Sequence, residues 1–246
     1  MNILLTGCSG FLGTEIAKFF HERNHNVIGV DFAENKNSKY FSNFINLDLR
    51  DLSLIESHLQ TELENVDVIH AVINNAAIKP NGFYEKSENY EVAAWDEVMR
   101  VNVGAAFFVS KSILKWLRSA ENPSIVNISS IYGMVAPDYS IYKDPDQQNT
   151  FFTTPVSYSV SKTALLGLTR HLANEWGEFG IRVNSVSPGG IENNQPDFFV
   201  QNYEKNTPLN RMAMPLDVVS AVEFLISDKS KYITGINLAV DGGWTL

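Results

Sequence analysis

The sequence predicts a doubly wound α/β fold: a seven-stranded parallel sheet with helices on both faces. Three observations carry that expectation. Apolar runs of strand length alternate with longer amphipathic stretches along the whole chain. The strand runs are rich in Val and Ile and apolar almost throughout, as strands buried on both faces must be. No repeat, low-complexity tract or Pro/Gly/Ser linker breaks the pattern, so residues 1–246 are expected to form one domain.

The elements follow in order. Strands are expected at 2–6, 26–31, 43–47, 66–74, 124–129, 182–187 and 233–240. Helices are expected at 13–23, 52–60, 95–118, 159–177 and 216–227. Right-handed crossovers between parallel strands place such helices on both faces of the sheet. Two stretches fall outside the alternation, about 131–155 and about 192–214. Each follows the C-terminal end of a strand, the edge where open α/β sheets hold their ligands, so both are read as functional loops.

Composition narrows the function classes. Hydrophobic residues make up 44% of the chain and charged residues 19%, which supports a large core and excludes disorder as the main state. The formal net charge of −9 argues against a nucleic-acid partner, and no polybasic run suits a membrane surface. The apolar run at Ile3–Leu5 is too short for a leader or a span, so a cytoplasmic protein is expected. One cysteine, Cys8, allows no intrachain disulfide and fits a reducing compartment.

The first strand runs into TGCSGFLG, residues 6–13, and then into a helix. Gly7, Gly10 and Gly13 allow a tight turn and close approach of a pyrophosphate, while the helix N-terminus supplies N–H groups and partial positive charge. This context predicts a dinucleotide site. Asp31 closes the second strand, 18 residues after Gly13, where a carboxylate accepts both adenosine ribose hydroxyls and repels a 2′-phosphate. NAD(H) is therefore favoured, with NADP(H) still open. Asp48 either accepts the adenine amino group or serves its own turn.

Tyr158 and Lys162 form a YxxxK pair on one face of a predicted helix. An ammonium beside a phenol favours the phenolate and brings its titration closer to neutrality. With these residues in hand, the chain resembles the short-chain dehydrogenase/reductase superfamily in its single-domain Rossmann branch. The likeness spans the chain in register: TGCSGFLG, NNAA at 74–77, VNVG at 101–104, NISS at 127–130, YSVSK, IRVNSVSPGG at 181–190 and the terminal VDGGW.

That resemblance implies hydride transfer between a nicotinamide and a secondary alcohol or ketone, without a metal. Tyr158 becomes the general acid/base, and Lys162 tunes it and holds the nicotinamide ribose. Ser130 hydrogen-bonds the substrate oxygen, with Ser129 as its rival. Asn102 holds a water that relays protons to Lys162. The implied cofactor contacts are Thr6, Gly7, Ser9, Gly10, Phe11, Leu12 and Gly13 in the turn. Asp31, Asp48, Leu49, Asn74 and Ala76 follow at the next strand ends, then Tyr158 and Lys162, then Pro188, Gly189 and Ile191. A homodimer or homotetramer is implied through the helices at 95–118 and 159–177.

Three departures qualify the likeness. The glycine spacing TGxxGxxG is that of the extended branch, which includes sugar-nucleotide epimerases and dehydratases, yet only residues 163–246 follow Lys162. The segment between Ser130 and Tyr158, residues 131–157, is longer than the family's usual one and holds Tyr139, Tyr142, Phe151 and Phe152. Rings among polar neighbours suit a sugar face or an interface between copies, and the segment resembles that of reductases from bacterial surface-sugar and flagellin-glycan (nonulosonic acid) pathways. Asn193 stands where the family often has a cofactor-contacting threonine.

The expected substrate is therefore a sugar or sugar derivative. A 3-oxoacyl-(acyl-carrier-protein) reductase and a non-catalytic nucleotide sensor remain alternatives. HERNH at 21–25 satisfies HExxH but sits at a helix end with no third ligand, and no metal is expected. Asn127 fits a glycosylation pattern inside a predicted buried strand, and Cys8 fills a turn that wants a small residue.

Overall fold

Seven strands form one sheet in a computed structural model of the chain, which describes residues 1–33, 38–143 and 154–246. They are β1 (Asn2–Thr6), β2 (Asn26–Asp31), β3 (Asn43–Asn46), β4 (Ala71–Asn74), β5 (Ser124–Ile128), β6 (Arg182–Pro188) and β7 (Asn237–Val240). All pairings are parallel, in the order β3-β2-β1-β4-β5-β6-β7. The chain winds outward from β1 to β3, then returns to start the other half at β4. The crevice between β1 and β4 is the switch point where such sheets bind ligands.

Alternate strand residues enter two cores. Leu4, Ile28, Val30, Val72, Ile125 and Val183 face one side, beneath α2 (Ile55–Glu62), α4 (Ala106–Ser112), α5 (Leu114–Arg118) and α6 (Val156–Trp176). Ile3, Leu5, Val27, Ile73, Val126 and Val186 face the other, beneath α1 (Phe11–His21) and α8 (Pro215–Ile226). Burial on both faces explains why the strands read as unbroken apolar runs.

Several boundaries differ from the sequence reading. Val66, Val68 and Ile69 are apolar but precede β4, because partners at this stretch lie elsewhere: the Trp116 indole donates to the Val66 carbonyl, and Ile69 N–H donates to the Trp116 carbonyl. Residues 233–236 precede β7 because Gly235 turns the chain at φ +76°. The expected helix at 95–118 is divided into α3 (Val92–Met99), a π-type segment (Arg100–Ala105), α4 and α5. The expected loop at 192–214 holds α7 (Asp197–Lys205). Its short apolar face, Phe199 and Tyr203, packs on the distant Ile141, Tyr142 and Trp244, which no local pattern announces.

A polar row crosses the buried sheet just below its C-terminal edge. Thr6, Asn74, Asn127 and Ser185 are paired in register on β1, β4, β5 and β6. The Asn74 amide donates to Asn127 Oδ1 (2.8 Å), the Asn127 amide to Thr169 Oγ1 on α6 (2.9 Å), and Thr169 Oγ1 meets Ser185 Oγ at 2.6 Å. All four of these side chains are buried. Asn127→Ala removes two buried hydrogen bonds and opens a cavity between the sheet and α6, and is expected to cost about 3 kcal/mol. Denaturant titration checks this, and a loss below about 0.5 kcal/mol would show that the row is not structural.

Candidate active site

A cleft of about 730 Å³ runs along the C-terminal edge of the sheet. At one end lies the turn after β1. Gly7 sits at φ +64°, and a Cβ there would come 2.7 Å from Ala76 Cα. A Cβ on Gly13 would overlap the Gly7 carbonyl oxygen. Gly10 differs, since its nearest neighbour would be that same oxygen at 3.4 Å. The protein itself leaves room for a side chain at Gly10, which borders the cleft. Gly10 also caps α1 without a side chain, and the helix has no acid in its first turn. Its positive end is left for an anion, as a pyrophosphate requires.

Asp31 is buried and aimed by two backbone donors, Ser9 N–H to Oδ2 (2.9 Å) and Ala33 N–H to Oδ1 (3.1 Å). It lines the cleft with Ser9, Phe11, Leu12, Leu49 and Ala76. Its spare lone pairs can accept ribose hydroxyls. Asp48 lines it too, but Arg50 Nη2 lies 2.6 Å from Oδ2 and holds that carboxyl below the usual carboxylate range. An adenine amino group has to share Asp48 with Arg50.

Two expected cofactor contacts lie behind the wall instead. Thr6 Oγ1 accepts the N–H groups of Asn75 (3.1 Å) and Ala76 (3.2 Å), fixing the loop after β4. Asn74 is buried in the polar row, and the residue that lines the cleft is Asn75, whose amide donates to the Thr6 and Gly7 carbonyls. Strand alternation accounts for the swap, since only the residue past the strand end turns into the crevice.

At the other end stand Ser130, Tyr158 and Lys162, all lining the cleft. The helix α6 buries Ser157, Ser161, Lys162, Leu165, Thr169, Leu172, Ala173 and Trp176 as one stripe, which holds Lys162 inside and Tyr158 at the stripe's edge. Burial raises the Tyr158 phenol above its ordinary pKa, and a hydrogen bond with Ser130 pulls it partly back. Lys162 Nζ donates to the Ile128 carbonyl at 2.7 Å and lies 5.6 Å from the centre of the Tyr158 ring. Burial lowers its pKa to about 8. The expected lowering of the phenol by the ammonium is therefore not among the influences on Tyr158, because Nζ is turned to Ile128. Ser129 Oγ donates to the Lys162 carbonyl (2.8 Å), which separates the two serines: Ser129 braces α6 and Ser130 meets the phenol.

Asn102 sits in the π-type segment, and its side chain is bonded at both ends. It accepts from Ile78 N–H (3.1 Å) and donates to Ser161 Oγ (3.0 Å), outside the cleft lining. Pro188, Gly189 and Ile191 line the cleft after β6, with Gly190 N–H donating to the Tyr203 hydroxyl at 2.6 Å. Asn193 lines it as well, and its N–H donates to Gln195 Oε1.

The sequence reading missed Asn75, Lys79, Phe83, Tyr84, Tyr132 and Tyr203 as lining residues. Asn75 stood in a visible motif; the others lie on loops or on α7, where no periodicity marks the cleft side. Tyr132, Tyr142 and Thr154 form a chain of hydroxyls along this wall, at 3.1 and 2.7 Å. Tyr139 is exposed, and Phe151 and Phe152 lie outside the described residues. Cys8 is buried, which pushes its thiol up to about 12.

Comparison with known proteins agrees with this geometry. Residues 1–143 match the family model of short chain dehydrogenase, and residues 147–245 match that of enoyl-(acyl carrier protein) reductase. A 2,5-dichloro-2,5-cyclohexadiene-1,4-diol dehydrogenase of Sphingobium indicum is 30% identical over 99% of this chain and 95% of its own. A 2-dehydro-3-deoxy-D-gluconate 5-dehydrogenase of Dickeya dadantii is 27% identical over 98% of this chain and 94% of its own. A short chain dehydrogenase from Leptospira borgpetersenii, solved with bound NAD+, superposes with a TM-score of 0.88 at 33% identity, covering 100% of this chain and 92% of its own.

The buried ammonium gives stability a pH dependence of known sign. Below about pH 8 both folded and unfolded chains hold the Lys162 proton, and the folded chain bears the full cost of burying it. Between about 8 and the ordinary 10.5 only the unfolded chain binds that proton, so the cost shrinks as pH rises. Lys162→Met is expected to be more stable than the wild type at pH 7, and its advantage to fall by pH 10. Paired denaturant titrations at the two pH values read this, and a constant difference would contradict it.

Proposed function

The chain belongs to the short-chain dehydrogenase/reductase family, and from that premise we propose that it interconverts a secondary alcohol and a ketone on a sugar-derived substrate, with NAD(H). The observation that carries the reading is the meeting of Ser130, Tyr158 and Lys162 in the cleft that begins at the glycine turn. When bound, the nicotinamide accepts or supplies the hydride at the substrate carbon.

The chain's own residues do the rest. Toward alcohol oxidation, Tyr158 takes the hydroxyl proton as the carbon gives up hydride, and the carbinol becomes a ketone. In the reverse direction the phenol returns the proton to the oxygen. Ser130 hydrogen-bonds the same oxygen and steadies the charge that develops on it. Lys162 holds the nicotinamide ribose from the buried face of α6. Asn102 supports the site through the loop at Ile78 and through Ser161. Gly7, Gly10 and Gly13 with the first turn of α1 receive the pyrophosphate, and Asp31 receives the adenosine ribose.

Several features support a sugar-derived substrate. The Tyr132–Tyr142–Thr154 hydroxyls offer hydrogen bonds beside apolar rings, the pairing that suits a sugar. The similar Dickeya enzyme is named for a sugar acid. The length of the 131–155 segment fits the surface-sugar branch, and Ile131, Tyr132, Tyr142, Thr154 and Pro155 from it line the cleft together with Asn193, Gln195, Phe199 and Tyr203 from the 192–214 loop. Reduction of a 3-oxoacyl carrier protein is less well served: Asp31 disfavours the 2′-phosphate of NADPH, and the chain's net charge of −9 opposes an acidic carrier. An epimerase or dehydratase reading rests on the TGxxGxxG spacing alone. A sensor reading leaves the assembled triad without a task.

Phe107 and Phe108 on α4 and Leu168 on α6 are only partly buried, which supports pairing of two or four copies through these helices. No helix among the described residues is long and apolar enough to cross a membrane.

Nicotinamide fluorescence with NADH and NADPH tests the cofactor, followed by a keto-sugar screen. Clear NADH preference is expected, and Asp31→Ala should weaken NADH about tenfold and narrow the preference. Tyr158→Phe should lower turnover by about 10²–10⁴-fold while NADH binding persists. NADPH preference in the wild type would reject the Asp31 role, and near-normal turnover in the phenylalanine variant would reject the acid/base role.

A further inference from the structure

The charges along the cleft are unevenly placed. Its acidic lining residues among those described are Asp31 and Asp48, both at the β2–β3 end. Its cations are Arg50, Lys79 and Lys162. Arg50 is paired with Asp48 and Glu97. Lys162 is buried on the Ile128 carbonyl. Lys79 stands exposed at the mouth of the other end, with no carboxylate within ion-pairing distance among the described residues.

Its position is fixed rather than incidental. Ile78 N–H is held by Asn102 Oδ1, and Phe83 N–H closes a turn on the Pro80 carbonyl (3.1 Å). That turn buries Phe83 against the Tyr158 ring, edge to face at 6.5 Å. Tyr84 packs on Phe83 at 5.0 Å, and Lys79 Nζ lies 5.8 Å over the Tyr84 ring. The Tyr84 hydroxyl is close enough to influence both Tyr142 and Tyr158. A cation is thus held two rings away from the reacting phenol, at the end of the cleft free of described acids, in a protein of net charge −9.

We propose that the substrate is an acid, its carboxylate bound by Lys79 while its carbinol or keto carbon lies several bonds away at Tyr158. This rests on the dehydrogenase reading and names the substrate class within it. A carboxylate is favoured over a phosphate because Lys79 is a single cation without a second arginine or lysine beside it on the lining. A dianionic phosphate draws several charged or backbone donors. Lys79 is therefore a specificity-determining residue that selects hydroxy or keto acids over their neutral counterparts.

Calorimetry on the enzyme saturated with NADH tests this with glutarate, its neutral diamide glutaramide, and propyl phosphate. Glutarate is expected to bind the wild type, and glutaramide to bind much more weakly. Lys79→Gln should weaken glutarate about tenfold, and Lys79→Arg should restore it. NADH affinity should stay constant across the three proteins, which separates lost anion binding from misfolding. Equal glutarate affinity in wild type and Lys79→Gln would overturn the proposal. So would the absence of glutarate binding, equal binding of glutaramide, or tighter binding of propyl phosphate. If NADH binds but substrate recognition ignores charge, the dehydrogenase reading stands and this inference falls. If NADH itself does not bind, the dehydrogenase reading falls and takes this inference with it.

Discussion

The buried polar row through Thr6, Asn74, Asn127 and Ser185 is the constraint on which the site depends. Amides and hydroxyls inside a parallel sheet covered on both faces are costly to leave unpaired, and all but Asn74 Oδ1 in this row find a protein partner. Asn127 and Ser185 find theirs in Thr169 of α6. That choice sets the rotation and height of α6 on the sheet. Two turns earlier the same helix face presents Lys162, whose carbonyl accepts from Ser129 and whose ammonium donates to Ile128. A Cβ on Gly133 would lie 2.8 Å from the Lys162 carbonyl, so the loop after β5 lies directly on the helix. The phenol of Tyr158 and the hydroxyl of Ser130 meet because these contacts leave α6 and β5 little freedom.

The same burial that fixes the groups also opposes their charges. It raises the phenol and lowers the ammonium, so this geometry favours the neutral form of each. The ammonium points to a backbone carbonyl rather than to the phenol oxygen. Ser130 is the group that moves the phenol toward ionisation in the described structure. The sequence spacing correctly places both side chains on one helix face, but a shared face does not make a direct pair. The distance between functional groups depends on side-chain direction, which spacing alone leaves open.

The fold was legible because its strongest signals were local. Unbroken Val/Ile runs marked strands buried on both faces, and the Gly7–Gly13 turn marked the first crossover. The errors came where tertiary partners outweighed local pattern. Residues 66–70 read as strand until Trp116 takes their bonding groups. The α7 helix read as loop because Phe199 and Tyr203 are its whole apolar face, and their partners lie far away in sequence. Asn74 and Asn75 could not be told apart without knowing where β4 ends. Lys79 was invisible for a related reason: a lone lysine in a loop has meaning only once the neighbouring charges are placed around it.

The three glycines of the first turn show how one motif can carry two messages. Gly7 and Gly13 are demanded by the protein, since a side chain at either would strike backbone atoms of the turn or of Ala76. Gly10 meets no such obstacle and borders the cleft at the start of α1. The TGxxGxxG spacing thus records how α1 packs against the end of β1, together with one unobstructed position on the cleft lining. It does not report on the far end of the chain, where a second lobe would be built. The spacing can therefore match that of the extended branch whatever elements follow β6. The loops after β4, β5 and β6, with their rings and with Lys79 on the cleft lining, stand on a frame that the polar row has already set.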